Sequence, residues 1–149
     1  MRAVIVFAST HHGNTKKVVE TISEQCGAEL IDATVFDSAD LSVYDIVGIA
    51  SGIAYGRYYP KLLSFIENNL PDGKPVFFLH TAGSPKEEQN ASAKAITDRK
   101  GCGCLGTYCC RGFDTFGPFK LIGGLGKGHP DQKEINEAVR FFENICADR

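Results

Sequence analysis

The sequence predicts an α/β domain in which a doubly wound, five-stranded parallel sheet carries helices on both faces. Three observations lead there. Short, near-continuous apolar runs alternate along the chain with longer stretches of helical apolar spacing. Runs of that kind suit strands buried on both sides, the condition of a parallel sheet covered by right-handed crossover helices. The chain has 149 residues, 43% of them hydrophobic, so residues 1–149 read as a single domain able to bury its own core.

Arg2 to Ala8 is the first such run and closes on Ser9-Thr10. Val18, Val19 and Ile22 then fall at helical spacing, and Ala28 to Ala33 alternates as a weaker second strand. The connection from Ala33 to Asp45 has room for at most a short helix. Ile46 to Ala50 reads as the third strand and Val76 to Leu79 as the fourth, with Leu62, Leu63 and Ile66 marking a helix between them. Leu105 to Cys110 supplies the fifth strand. The last helix carries Ile135, Ala138, Val139, Phe142 and Ile145, and Asp131 with Glu134 forms a capping-box pattern at its start. Between them, Arg111 to His129 holds Gly112, Gly117, Pro118, Gly123, Gly124, Gly126 and Gly128, the composition of an ordered functional loop.

Sixteen Lys and Arg against eighteen Asp and Glu give a net charge of -2, which lacks the basic field of a nucleic-acid binder. No stretch approaches the ~18 uninterrupted apolar residues of a membrane span, and the first apolar run is too short for a signal peptide. The expectation is a cytoplasmic protein whose six cysteines are reduced thiols. Cys102, Cys104, Cys109 and Cys110 match no standard metal spacing and read as small apolar residues and surface thiols; Cys26 and Cys146 read as packing. His80 and His129 are weak candidates, His129 being a helix-start residue before Pro130.

Ligands of open α/β sheets bind at the carboxyl ends of the strands, where the strand order switches. The loop after the first strand reads Ser9-Thr10-His11-His12-Gly13-Asn14-Thr15. Hydroxyl and amide groups around a Gly turn, at the positive end of a helix, are the parts of a phosphate site. They are equally the parts of an ordinary helix start capped by Asn14 or Thr15. Three other motifs fail on context. Gly101-Cys102-Gly103-Cys104-Leu105-Gly106 leads into a strand rather than a helix, Gly126-Lys127 lacks the P-loop spacing, and Ser51 has Ile49 and Ile53 at the Gly positions of a nucleophile elbow.

The first loop resembles the phosphate-binding sequence of the flavodoxin family, with Thr10, His11, His12, Gly13, Asn14 and Thr15 at the matching positions. Asp45 to Ile66 is similar to the third strand, flavin-contacting loop and following helix of flavodoxin-domain proteins, menaquinone-dependent protoporphyrinogen oxidase among them. The tail, with CRGFDTFGPFKLIGG and GKGHP, resembles that family too. The resemblance implies the strand order 2-1-3-4-5 and a site for flavin mononucleotide (FMN). Gly52, Ile53, Ala54, Tyr55 and Gly56 would form the loop against the ring, with Tyr55 as its aromatic wall. Tyr58 or Tyr59 is the alternative wall, one of the two facing the core with Leu62 and Leu63. Gly56 would turn its peptide toward the N–H of the reduced ring, at the low steric cost only Gly allows. Thr81, Ala82 and Gly83, followed by Ser84, would offer backbone donors to the pyrimidine edge.

Departures from the family pattern carry their own expectations. His11 and His12 bring titratable groups into a loop usually free of them, one pointing to solvent. No aromatic follows the fourth strand, so Phe113 or Phe116 supplies the second ring face, or that face is open. Arg57 stands where several family members carry an acid, and a cation there makes the second reduction step of the flavin less negative. The resemblance implies an FMN-binding electron carrier acting between redox partner proteins, a reductase and an electron acceptor, with no residue serving as acid or base and no metal. Two rivals stand beside it: an FMN-dependent quinone or protoporphyrinogen-type oxidoreductase, and a partner-binding module of the same fold without cofactor. The weak net acidity departs from the strongly acidic carriers of the family.

Overall fold

Ala3–Ala8 has no polar side chain, and all six residues are buried as strand β1 in the structure, a computed structural model that describes residues 1–114 and 121–149, His11 by its backbone alone. The other strands are β2 (Glu29–Asp32), β3 (Ile46–Ala54), β4 (Arg57–Tyr58), β5 (Val76–Ala82) and β6 (Cys104–Arg111). The helices are α1 (Asn14–Cys26), α2 (Pro60–Asn69), α3 (Ala91–Arg99) and α4 (Gln132–Ala147). Five strands pair in parallel in the order β2-β1-β3-β5-β6, which is the expected order of the five main strands. The sixth, β4, is an addition to that expectation. It folds back antiparallel on the end of β3, pairing Tyr58 with Ile53 and Arg57 with Ala54.

Alternation along the strands divides the core into two layers. Val4, Val6, Val47, Ile49, Val76 and Phe78 meet Leu62 and Ile66 of α2 and Ala93 of α3 on one face. Ile5, Phe7, Ile46, Ala50, Phe77 and Leu79 meet Val18, Val19 and Ile22 of α1 and Ala138 and Phe142 of α4 on the other. Each large side chain so buried contributes roughly 1.5–3 kcal/mol. The helix α3 is the element the apolar spacing does not announce, because its buried positions are the small residues Ala93 and Thr97. The β2–β3 connection holds one short 3-10 turn, Leu41–Val43, whose Ser42 amide is taken by the Asp40 carboxylate.

Gly48 shows how tightly the second layer is filled. A Cβ placed there would stand 2.4 Å from Cζ of Phe77, whose fully buried ring packs edge-on against Phe141 and Phe142. Gly48→Ala should therefore lower unfolding stability by about 1–3 kcal/mol, the ordinary cost of overpacking. Urea denaturation checks this; an unchanged midpoint would mean the Phe77 ring is not held there.

The start of α4 is capped as expected: Asp131 accepts the Glu134 amide at 2.9 Å and Glu134 accepts the Asp131 amide at 3.0 Å. The same Glu134 carboxylate accepts the Arg111 amide at 3.0 Å and also pairs with His129, fastening α4 to the end of β6. The described part of the long glycine-rich loop is ordered by backbone bonds. Gly112 donates to Ala82, Phe113 to His129, and Asp114 and Leu125 exchange two bonds of 2.7 and 2.6 Å. Among the described residues no helix is long and apolar enough to cross a membrane.

Candidate functional site

A narrow cleft opens at the carboxyl ends of β1, β3 and β5, on the side where the chain order switches between β1 and β3. Its first wall is the turn from β1 into α1. His12 and Gly13 both take positive φ there, 67° and 66°, which swings the backbone around the end of the helix. The first four amides of a helix have no carbonyl inside it. The Ser9 hydroxyl accepts the Lys16 amide at 3.0 Å, and Gly13, the residue before the helix, has no side chain to take another. Neither Asn14 nor Thr15 serves as the cap. The Asn14 amide donates to the Phe113 carbonyl at 2.8 Å, and the buried Thr15 hydroxyl lies 2.8 Å from that of Thr81. Both side chains thus bind this turn to the other loops of the cleft.

The second wall is the end of β3. Ser51 donates to the Gly52 carbonyl and accepts the Tyr59 amide at 3.1 Å, which sets the Tyr59 ring across Gly52. A Cβ on Gly52 would come within 2.8 Å of the Tyr59 hydroxyl, and one on Gly83 within 2.9 Å of Cβ of Asp114. Glycine at these two places keeps the cleft open. Beyond Gly52 the chain makes a two-residue hairpin turn in which Tyr55 and Gly56 have φ of 55° and 77°, the geometry that suits the strand twist. Positive φ is ordinary for Gly56 but costs Tyr55 roughly 1–2 kcal/mol. Strain of this kind concentrates at functional positions, and Tyr55 is 94% exposed. Of the two alternative walls, Tyr58 is fully buried with Leu62 in the core, while Tyr59 lines the cleft.

Of the residues singled out from sequence, Thr10, Asn14, Thr15, Gly52, Ile53, Thr81, Ala82 and Gly83 line this one cleft. His12, Gly13, Ala54, Tyr55 and Gly56 belong to its flanking turns rather than its lining, and the His11 side chain lies outside what is described. Ser9, Tyr59, Gly112, Phe113 and Asp114 line it as well. Asp114 is the one charged side chain among the described lining residues, so the cleft offers neutral donors rather than cations. Phe113, a candidate second ring face, packs its ring on His12 with 4.4 Å between centroids, which commits it to the first loop. Phe116 lies outside the described residues, as do Gly117 and Pro118.

All six cysteines are free thiols. Cys109 and Cys110 point to opposite faces of β6. Burial pushes Cys110 up to about 12 and raises Cys26, Cys102, Cys109 and Cys146 as well, so these groups are protonated and weakly nucleophilic at neutral pH.

Comparison with known proteins agrees with this geometry. The family model described as a flavodoxin domain matches residues 5–103. An uncharacterised protein of Methanocaldococcus jannaschii is 33% identical over 147 residues, covering 97% of this chain and 98% of its own. Among solved structures, a flavodoxin from the domain Archaea superposes with a TM-score of 0.71 at 18% identity, covering 99% of this chain and 98% of the other. A flavoprotein from Lactobacillus acidophilus, solved in complex with FMN, superposes with a TM-score of 0.56 at 18% identity over 72% of this chain and 92% of its own.

Proposed function

We propose, since the chain belongs to the flavodoxin family, that it binds FMN without a covalent bond and carries electrons between redox partner proteins. The observation that carries this reading is the cleft itself. Hydroxyl and amide groups from loops up to 99 residues apart in sequence meet at the switch point, beside a strained and exposed tyrosine. Two glycines leave the space that a Cβ would fill. The hydroxyl and amide groups lining the cleft suit the phosphate and polyol end of FMN, with the ring lying outside it along the hairpin.

In this reading Thr10, the turn through His11, His12 and Gly13, and Asn14 and Thr15 hold the phosphate by backbone amides and hydroxyls at the positive end of α1. Gly52, Ile53 and Ala54 bring the chain to the ring, and Tyr55 covers one of its faces. Gly56 offers a carbonyl oxygen to an N–H on the ring edge. Thr81, Ala82 and Gly83 bound the opposite edge. Bound flavin supplies the one- and two-electron chemistry; the protein binds it, orients it and excludes water from one face.

The test is uptake of FMN by flavin-free protein, followed by quenching of flavin fluorescence. Stoichiometric binding at or below about 1 μM is expected, with riboflavin at least tenfold weaker because it lacks the phosphate. A protein that leaves FMN fluorescence unchanged would remove the reading. With the flavin bound, dependence on a separate reductase marks the carrier, whereas direct turnover of a nicotinamide nucleotide with a quinone marks the oxidoreductase.

A further inference from the structure

We propose that His80 is a positioning residue that couples the Tyr55–Gly56 hairpin to the loop after β5, so that the two loops bracketing the flavin ring move as one. The coupling to the ring rests on the flavin-binding reading above. His80 sits in the middle of the sheet, beside Ser51 of β3 and Cys109 of β6, and is fully buried. Its Nδ1 lies 3.0 Å from the Tyr58 hydroxyl and its Nε2 lies 2.8 Å from the Lys86 carbonyl. A carbonyl only accepts, so Nε2 carries the proton and Nδ1 accepts from Tyr58. Burial pushes His80 down and Tyr58 well up, leaving both neutral at physiological pH and this pattern intact.

The two ends of this chain of bonds matter. Tyr58 is the buried residue of β4 and pairs with Ile53 at the root of the hairpin. Lys86 closes the segment that follows Gly83, and its own amide donates to Gln89 at 2.9 Å. One imidazole therefore bridges the root of the hairpin and the far end of the next loop. An apolar pair of like volume would fill the same space without the cost of desolvating polar groups. What the hydrogen-bonded pair adds is a fixed direction between the two segments.

Tyr58→Phe keeps the ring and removes only the hydroxyl, while His80→Gln keeps one acceptor and one donor. In flavin-free protein, Tyr58→Phe should raise amide exchange about tenfold at residues 55–57 and, together with them, at Gly83, Ser84 and Lys86, the effect of one lost hydrogen bond. His80→Gln should stay within threefold of the unaltered protein at both. With FMN, Tyr58→Phe should weaken binding about tenfold and shift the reduction equilibrium of the bound flavin by more than twofold. Faster exchange confined to the hairpin, or spread evenly over the whole chain, would overturn the coupling; an unmoved reduction equilibrium would overturn its link to the ring. If the unaltered protein takes up no FMN, the flavin reading fails, and the exchange pattern alone decides whether His80 joins the loops.

Discussion

Gly52→Val is expected to weaken FMN binding by ten- to a hundredfold while leaving the protein folded. The residue lies near the end of β3, paired with Thr81 of β5, where a β-branched side chain is otherwise welcome. What stands in its way is Tyr59: the hydroxyl would lie 2.8 Å and Cζ 3.1 Å from the new Cβ. Both atoms are at the far end of a side chain that lines the cleft, so the tyrosine turns aside and fills the space meant for the ligand. The fold loses little, within about 1 kcal/mol, whereas overpacking the bound state costs roughly 1–3 kcal/mol. Gly48→Ala is the contrast, since there the obstacle is a fully buried ring with no cleft to move into. Urea denaturation and an FMN titration on the same preparation separate the two effects. Gly52→Val protein that binds FMN as the unaltered chain does would place the ligand elsewhere.

That contrast also shows what the sequence could and could not reveal. Runs such as Ala3–Ala8 and Val76–Leu79 are legible because a strand covered on both faces must be apolar at every position. Legibility stops where polar residues are buried by pairing with each other. Ser51, His80 and Thr81 look like the beginnings of loops, yet they continue β3 and β5 because Tyr59, Tyr58 and Thr15 satisfy them. The helix α3 escaped periodicity because Ala93 and Thr97 pack where other helices use large residues. At the site, the first loop was readable as a phosphate cradle since its residues are contiguous. Gly112, Phe113 and Asp114 are not legible as part of that cradle, because nothing local says that a loop a hundred residues away will lie across Asn14. That docking is tertiary, and it is narrow: a Cβ on Gly126 would strike the Gly112 carbonyl at 2.5 Å.

The second large effect is expected at Arg57. It follows Gly56 in the hairpin, pairs with Ala54 and is exposed, so on the proposed FMN reading its guanidinium would border the ring that gains negative charge on full reduction. Arg57→Glu changes the local charge by two units. Taking a separation of about 8 Å and an effective dielectric of about 40, each unit contributes roughly 1 kcal/mol. The second reduction step should then become more negative by up to roughly 90 mV, since 1.4 kcal/mol corresponds to about 60 mV for one electron. Arg57→Gln should give about half of that. Because the group is exposed, the shift should shrink as ionic strength rises from about 0.01 M to 1 M, over which the screening length falls from about 30 Å to 3 Å. Redox titrations of the three proteins at both ionic strengths check the series. Equal potentials at low salt would mean that the guanidinium turns away from the ring, and the weak net acidity of the chain would then have no local counterpart at its flavin.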